Sequence, residues 1–535
     1  MKKKLLFLPI LAALTLAGCS NDDDPVTGGN GNEGKDYGFV AVNVVQPQSM
    51  VPRAATEGFE YGSDDENKAE TGLFFIFDSE GVTMYGQPQR LALTGNGTGN
   101  SPEVERIYNA VLVIDGVTEA NKPAAGLQIA CVLNAPAGLE TGISTLSDLT
   151  AKVADYSAHA SGTFIMSNSV YKNGTDKVLG AMVTEENIST SSSVALKNPV
   201  NIYVERVVAK VRTKGVSSFI NEGANPIIDG VEKSLNIKVT GVEIANIAES
   251  SYLFKNIEGI TYDWAWDVTN KRSYWETVPV DLTYGNKSYT AIVNDSKPAT
   301  GDFDIKNVNV TEYIQPNTSV QKTAVLVTAE LLDETNPFDF VYLRGGYFTP
   351  DNALALIAEY AANNGYYKKT GNNSYSQLST TDFEWENKED NTTLTWLERY
   401  EVVAKVKSTI TELYKKTGDT YSSATVAEIN SLLAGTESSH PYVARYYKDG
   451  KCYYFVNIDQ TSLAGSDVPA HTYDGVVRNH IYDLTLNSIK GIGTPVFDPD
   501  DVIIPEKPDD ENLYYLAAQI DVLAWKIVSQ TVDFE

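Results

Sequence analysis

Residues 513–535 read Leu-Tyr-Tyr-Leu-Ala-Ala-Gln-Ile-Asp-Val-Leu-Ala-Trp-Lys-Ile-Val-Ser-Gln-Thr-Val-Asp-Phe-Glu. Apolar side chains alternate through Leu516, Ala518, Ile520 and Val522, then change phase to Leu523, Trp525 and Ile527. Alternation marks a long β-strand with one face meant for burial, and the change of phase predicts a bulge or a passage from one groove to another. Asp498-Pro499-Asp500-Asp501 and Pro505-Glu506-Lys507-Pro508 cut this tail off from the preceding chain. A linker of that composition is extended, so the surface that covers the strand could belong to another molecule, as in a polymer-forming protein. The tail could equally fold back as an edge strand of its own domain.

The opposite end carries an export signal over residues 1–18: Lys2, Lys3 and Lys4, then the apolar run 5–14, then Leu16-Ala17-Gly18 before Cys19. That ending is similar to a bacterial lipobox, which implies cleavage before Cys19 and lipidation of that residue; the alternative is an ordinary secretory peptide that happens to contain a cysteine. Ser20-Asn21-Asp22-Asp23-Asp24 resembles the acidic tether of surface lipoproteins of Bacteroidales. No later segment is long and apolar enough to span a bilayer as a helix. With 535 residues the chain has room for two or three domains, and its net charge of −28 argues against nucleic acid and anionic membrane surfaces as partners. Cys131 and Cys452 each lie in an apolar run and are expected as free, buried thiols.

Strand signals dominate: 31 Tyr and many Val, Ile and Thr sit in short runs bounded by Gly, Asn, Asp and Pro. Strands are expected at 38–45, 73–77, 107–114, 127–133, 202–212, 236–245, 323–331, 452–456 and 480–486. Such a pattern predicts sandwiches rather than a parallel sheet with crossover helices. Helices are expected as an insertion: 351–364, with Asp351 as cap; 395–416, with Trp396, Tyr400, Val403, Ile410, Leu413 and Tyr414 at helical spacing and Gly418 as stop; and a third opened by the Thr425/Glu428 capping box. The domain boundary is placed at Pro199, with a strand pair opening each half.

Chemistry-bearing motifs are scarce. The histidines His159, His440, His471 and His480 have no metal-ligand spacing, and no GxSxG elbow, P-loop or dinucleotide fingerprint occurs. No catalytic residue, metal or cofactor is therefore expected. Glu384 and Glu386 share one face of a strand as a glycosidase pair would, but 70 acids make such pairs by chance. Asp498, Asp500 and Asp501 lack the Gly and closing Glu of a calcium loop. Trp264, Trp266 and Trp275 with Tyr262 and Tyr274 could stack sugars or simply pack.

Several segments point one way. Residues 474–482 (Asp-Gly-Val-Val-Arg-Asn-His-Ile-Tyr), continuing through Ser488-Ile489-Lys490 to Gly493, resemble a signature strand of the fimbrillin family of Bacteroidales type V pili. Tyr313-Ile314-Gln315-Pro316-Asn317-Thr318 before the strand 323–331, and residues 204–211 (Val-Glu-Arg-Val-Val-Ala-Lys-Val), resemble two more. Val522-Leu523-Ala524-Trp525-Lys526-Ile527 is similar to the donor strand of the shaft subunit of short fimbriae, the Mfa-like branch. The resemblance implies a mostly β chain of two transthyretin-like β-sandwiches, at 54–199 and 200–497, the second with a helical insertion at about 351–433 that the resemblance does not cover. A linker at 498–512 and a donor strand at 513–535 would follow.

It also implies a life history. A lipoprotein precursor lipidated at Cys19 reaches the outer membrane, where an Arg-specific, trypsin-like protease cuts after Arg53 within Met50-Val51-Pro52-Arg53-Ala54-Ala55, leaving Ala54 as the new N-terminus. The propeptide, residues 19–53, takes the first strand with it. The donor strand of another copy, or of a related pilin subunit, fills the vacated groove. Such a shaft subunit would serve adhesion and biofilm formation on the cell surface, with a host or bacterial receptor as a further partner. The alternative is a monomeric surface lipoprotein acting as an adhesin or glycan-binding protein.

Overall fold

The computed structural model describes residues 37–47, 62–95, 104–117, 120–157, 163–268, 271–387, 401–435, 442–460, 472–505, 514–523 and 527–530. The chain is mostly β, as its short strand-forming runs predict.

The first half is built from β1 (Tyr37–Pro47), β2 (Thr71–Asp78), β3 (Val104–Asp115), β4 (Leu127–Leu133), β5 (Met166–Asn168), the short β6 (Ile188–Ser189) and β7 (Val200–Arg206). The hydrogen-bonded path runs β2-β4-β5-β7-β1-β3. β7 joins the two layers by changing partners along its length: Val200–Tyr203 lie parallel to Val42–Val45 of β1, then Val204–Arg206 lie antiparallel to β5. Phe74, Phe75 and Phe77 of β2, Leu127 and Val132 of β4, and Val40, Val42 and Val44 of β1 fill one common core.

The second half has β8 (Ala209–Asn221), β9 (Leu235–Ala245), β10 (Asn309–Ile314), β11 (Ala324–Asp333), β12 (Lys451–Asn457) and β13 (Ile481–Gly491). One sheet runs β10-β8-β13 and the other β9-β11-β12, and Val211, Val325, Val327, Tyr454, Tyr482 and Leu484 meet in the core between them. The expected boundary at Pro199 therefore lies too early. Residues 200–206 belong to the first sandwich, and the strand expected at 202–212 breaks at Val207-Val208, so that its two halves enter different sheets.

The insertion forms a further core of its own and is only partly helical. Helix α1 (Pro350–Asn363) matches expectation, although Thr349 rather than Asp351 is its cap. Helix α2 (Val426–Ala434) opens on the expected capping box, with the Thr425 amide donating to Glu428 Oε2 at 2.6 Å. The helix expected at 395–416 is absent from its described part. Val402–Val406 and Leu413–Thr417 are strands, because Val402, Val403 and Val406 are β-branched residues that fit a pleated sheet. Gly418, read as a helix stop, is the turn of the hairpin Leu413–Thr417/Thr420–Ala424, with φ of +61°. That hairpin repeats Tyr366–Gly371/Ser374–Gln377, each having Tyr-Lys-Lys-Thr-Gly from the second residue of its first strand (Tyr367 and Tyr414), and Tyr375 stacks on Tyr421 at 4.0 Å.

The tail forms β14 (Tyr514–Leu523) and β15 (Ile527–Gln530). It is not one continuous strand with a change of phase: Leu523 pairs with Ile527, and β15 runs back antiparallel along β14. β14 adds antiparallel to β13 of its own chain, from Ile481↔Leu523 to Gly491↔Tyr514. The linker also begins later than 498: Val496 and Ile503 are buried, and Thr290 N–H donates to Pro499 O at 2.9 Å. The apolar Val502-Ile503-Ile504 between the acidic and proline runs ties the chain to the second sandwich as far as Pro505, whose carbonyl accepts from Asn246 at 3.1 Å.

Candidate functional site

β1 lies between strands over most of its length. On one side it pairs antiparallel with β3, from Tyr37↔Asp115 to Gln46↔Arg106. On the other it pairs first with β6, at Phe39↔Ser189 and Val40↔Ile188, and then with β7, from Val42↔Val200 to Val45↔Tyr203. Val40, Val42 and Val44 point into the core and are at most 1% exposed. Three such valines contribute roughly 1.5–3 kcal/mol each in gross burial. On the opposite face Asn43 Nδ2 donates to Asn201 Oδ1 at 3.1 Å, and Ala41, outside the core cluster, is nonetheless 1% exposed. The short helix Ser192–Ala195 packs against β1. Withdrawing β1 would leave β3, β6 and β7 with unpaired backbone edges and open the core beneath.

The chain downstream of β1 is held by different means. Glu66 Oε1 accepts from Lys210 Nζ at 2.9 Å and from Tyr313 O–H at 2.8 Å, and Glu66 Oε2 accepts from the Ser63 amide at 2.6 Å. Arg206 Nε donates to the Glu66 carbonyl at 2.8 Å, and its guanidinium also donates to Asn67 Oδ1. Burial alone would raise the Glu66 carboxyl. The hydrogen bond and charge of Lys210, the Ser63 amide and the Arg206 charge outweigh it and hold the group down at about 2.

These contacts belong to the junction of the two sandwiches, where the three singled-out segments converge. From 204–211 come Glu205, paired with Lys255 at 2.8 Å, together with Arg206 and Lys210. From 313–318 come Tyr313 and Gln315, whose Nε2 donates to Asp155 at 3.1 Å. From 474–482 comes Arg478, which is buried, pairs with Glu276 at 2.9 Å and donates to the carbonyls of Tyr252 and Leu253. Beside it Asn479 adopts φ of +57° and accepts from Arg206. His480 Nδ1 donates to the Arg478 carbonyl at 2.7 Å, and burial, with the Lys255 and Arg272 charges, pushes the imidazole down to about 3 and keeps it neutral. The sequence reading missed Glu66, Lys255 and Glu276; the legible signal was the pair Glu205-Arg206 set inside an apolar strand.

Cys19, Arg53, Ala54 and Trp525 lie outside the described residues. Leu516, Ala518, Ile520, Val522 and Leu523 fall on β14, and Ile527 begins β15. Cys131 and Cys452 are buried free thiols. Glu386 pairs with Lys405 at 2.8 Å while Glu384 is exposed, which is no acid–base pair. Trp264 packs edge-on against Trp275 and Tyr473 and stacks on Tyr262, whereas Tyr274 turns its hydroxyl to Asp267. Asp498 caps its own turn by accepting from the Asp500 amide at 3.0 Å, and Asp501 accepts from Asn387 at 2.9 Å.

Residues 445–531 match the family model described as major fimbrial subunit protein type IV, fimbrillin, C-terminal, a span from the strand before β12 to the end of the paired tail strands. This segment is fimbrillin-like. No curated protein matches the chain in sequence. Among solved structures, a candidate cell adhesion protein from Parabacteroides distasonis is 14% identical, with a TM-score of 0.39 over 92% of this chain and 98% of its own. The tip fimbrial protein Mfa3 from Porphyromonas gingivalis, with a C-terminal truncation, is 12% identical, with a TM-score of 0.31 over 90% and 99%. The fimbrial anchor protein Mfa2 from the same organism is 9% identical, with a TM-score of 0.27 over 91% and 99%.

Proposed function

We propose that the protein is a structural shaft subunit of a cell-surface pilus, polymerised by strand exchange at the seat of β1. The fimbrillin-like segment supports a pilus or adhesin role and assembly with other pilin subunits. The observation that carries the finer reading is the contrast on either side of residues 48–61: β1 is held mainly by sheet pairing and apolar burial, with one exposed side-chain hydrogen bond from Asn43 to Asn201, whereas residues 62–67 are clamped to the junction by Arg206, Lys210 and Tyr313. A cut after Arg53 falls between them. It frees the strand and keeps the chain beyond it in place. The precursor would be tethered through lipid on Cys19 in the outer membrane until an Arg-specific, trypsin-like protease makes that cut. The tail of the next subunit, through Leu516, Ala518, Ile520, Val522, Leu523, Trp525 and Ile527, then covers the groove by β-augmentation.

One observation favours a second reading, a monomeric surface adhesin: β14 pairs with β13 of its own chain. In the proposed function that pairing is the resting position of the tail, which must be given up on assembly. Trypsin cleavage of the parent chain separates the two, with Arg53→Ala as its control. The substituted protein should stay monomeric with its first strand in place and give no filaments by electron microscopy, while the parent chain cut by trypsin gives ladders resistant to SDS. Full assembly by the Arg53→Ala protein would dismiss the licensing cut, and a parent chain that stays monomeric after trypsin would favour the adhesin.

A further inference from the structure

The tail carries a segment with the residue pattern of β1. Phe39-Val40-Ala41-Val42-Asn43-Val44 is matched residue by residue by Tyr515-Leu516-Ala517-Ala518-Gln519-Ile520. Aromatic stands for aromatic, aliphatic for aliphatic, the same alanine for alanine, and carboxamide for carboxamide. Resting on the strand-exchange reading, in which the next subunit is a second copy of this chain, we infer the register of the seated tail: it runs in the direction of β1, with Tyr515 at the place of Phe39 and Ile520 at that of Val44.

The seat itself selects this register. Val40, Val42 and Val44 are buried in the core, so an odd shift, which exchanges the two faces of a strand, would place Gln519 and either Asp521 or Tyr515 among them. Even shifts meet Ala41, which is 1% exposed although it faces away from the core. A shift by two in one sense puts Gln519 there, and in the other sense Tyr515. Only Ala517 satisfies that point, and it brings Gln519 to the place of Asn43, beside the Asn201 amide that Asn43 engages at 3.1 Å. The direction follows from the walls: β3 is antiparallel to β1 and β7 parallel to it, so a strand that restores both ladders must run as β1 runs. The match ends at Gly38, where an added Cβ would lie 2.8 Å from Val117 Cβ, and Tyr514 accordingly stays outside the seat.

Cysteine pairing between differently substituted chains tests partner and register together. Asn43 faces Asn109 across β3, with Val111 and Ile107 two residues to either side, all three half-buried on the outer face. Gln519→Cys chains are mixed with Asn109→Cys, Val111→Cys or Ile107→Cys chains after trypsin treatment. The disulfide between chains should form with Asn109→Cys at least about tenfold over the other two, since a two-residue shift moves Cβ by ~7 Å, beyond disulfide reach. Preference for Val111→Cys or Ile107→Cys would overturn the register and leave strand exchange standing. Ladders without any cross-link between chains would overturn both. Closure within one chain carrying both cysteines, without ladders, would overturn the second-copy occupant. Two neighbouring alanines give an independent reading of opposite sign. Ala517→Leu has no room at the Ala41 place and should abolish ladders, whereas Ala518→Val restores the valine of the Val42 place and should slow dissociation of the polymer. Equal effects of the two substitutions would refute the register.

Discussion

Val42→Ala distinguishes a precursor held by β1 from a filament that no longer contains it. In the uncut chain Val42 is 1% exposed and lies in register with Ala110 on one side and Val200 on the other. Loss of two methyl groups costs about 1.6 kcal/mol in transfer free energy. Because both walls are strands fixed by their own ladders, the space left behind cannot close, and a cavity of roughly 45 Å³ adds about 1 kcal/mol. The precursor should therefore lose about 2–3 kcal/mol, read as a lower guanidinium midpoint for the first sandwich and faster amide exchange at Val111 and Leu112. Filaments grown from the cut chain should be unaffected in their dissociation temperature in SDS, since β1 has gone from them. A precursor change below about 0.5 kcal/mol would show that the seat is not what holds the strand, for surface-like positions give effects of that size. Weakened filaments would show that β1 is still inside them, and strand exchange would fall.

Further outcomes follow from the other parts. Cys19→Ala should leave an unlipidated precursor that does not reach the surface, checked by fractionation and a search for filaments; normal piliation would remove the delivery step. Truncation after Pro505 should keep both sandwiches folded by circular dichroism and stop ladders, whereas truncation after Gly493 should also destabilise the second sandwich by removing Val496 and Ile503 from its core. Glu66, held at about 2 against an ordinary 4.5, gives stability that is fully present above about pH 4.5 and is lost as pH falls toward 2. The shift corresponds to about 3 kcal/mol, so Glu66→Gln should lower stability by that order at pH 7 and flatten its decline below pH 4.5. An unchanged acid profile in Glu66→Gln would show that other carboxylates carry it.

Strands were legible where one face is apolar and turns bound it, as at 73–77 and 127–133, because burial and local propensity agree there. The segment 395–416 was misread because Tyr400, Val403, Ile410 and Leu413 satisfy helical spacing by coincidence, and only pairing with Phe383–Asn387 and Tyr366–Gly371 decides for strands. The break at Val207-Val208 left no mark in composition, since both halves of that run are equally strand-forming. The seat of β1 could be foreseen from its alternation and from Arg53 behind it. The clamp could not, since Glu66 meets Lys210 and Tyr313 across 144 and 247 residues of chain. Charges that distant become partners only through the packing of two sandwiches.

The junction gains a meaning when tension is considered. In a filament assembled as proposed, pull enters each subunit where the tail leaves the second sandwich near Pro505 and passes out through the first sandwich at the seat of β1. Every path between these points crosses the junction. Its pairs Glu205–Lys255 and Glu276–Arg478 are buried, and separating either would strand two uncompensated charges in a medium that solvates them poorly. Apolar surfaces can slide past one another at little cost, but such pairs resist from the first fraction of an ångström. The seated strand is loaded along its own axis, so its ladder bonds bear the pull together rather than one after another. Stiffness at the junction and shared loading at the seat would let a thread of separate molecules, with no covalent link between them, transmit force along its length.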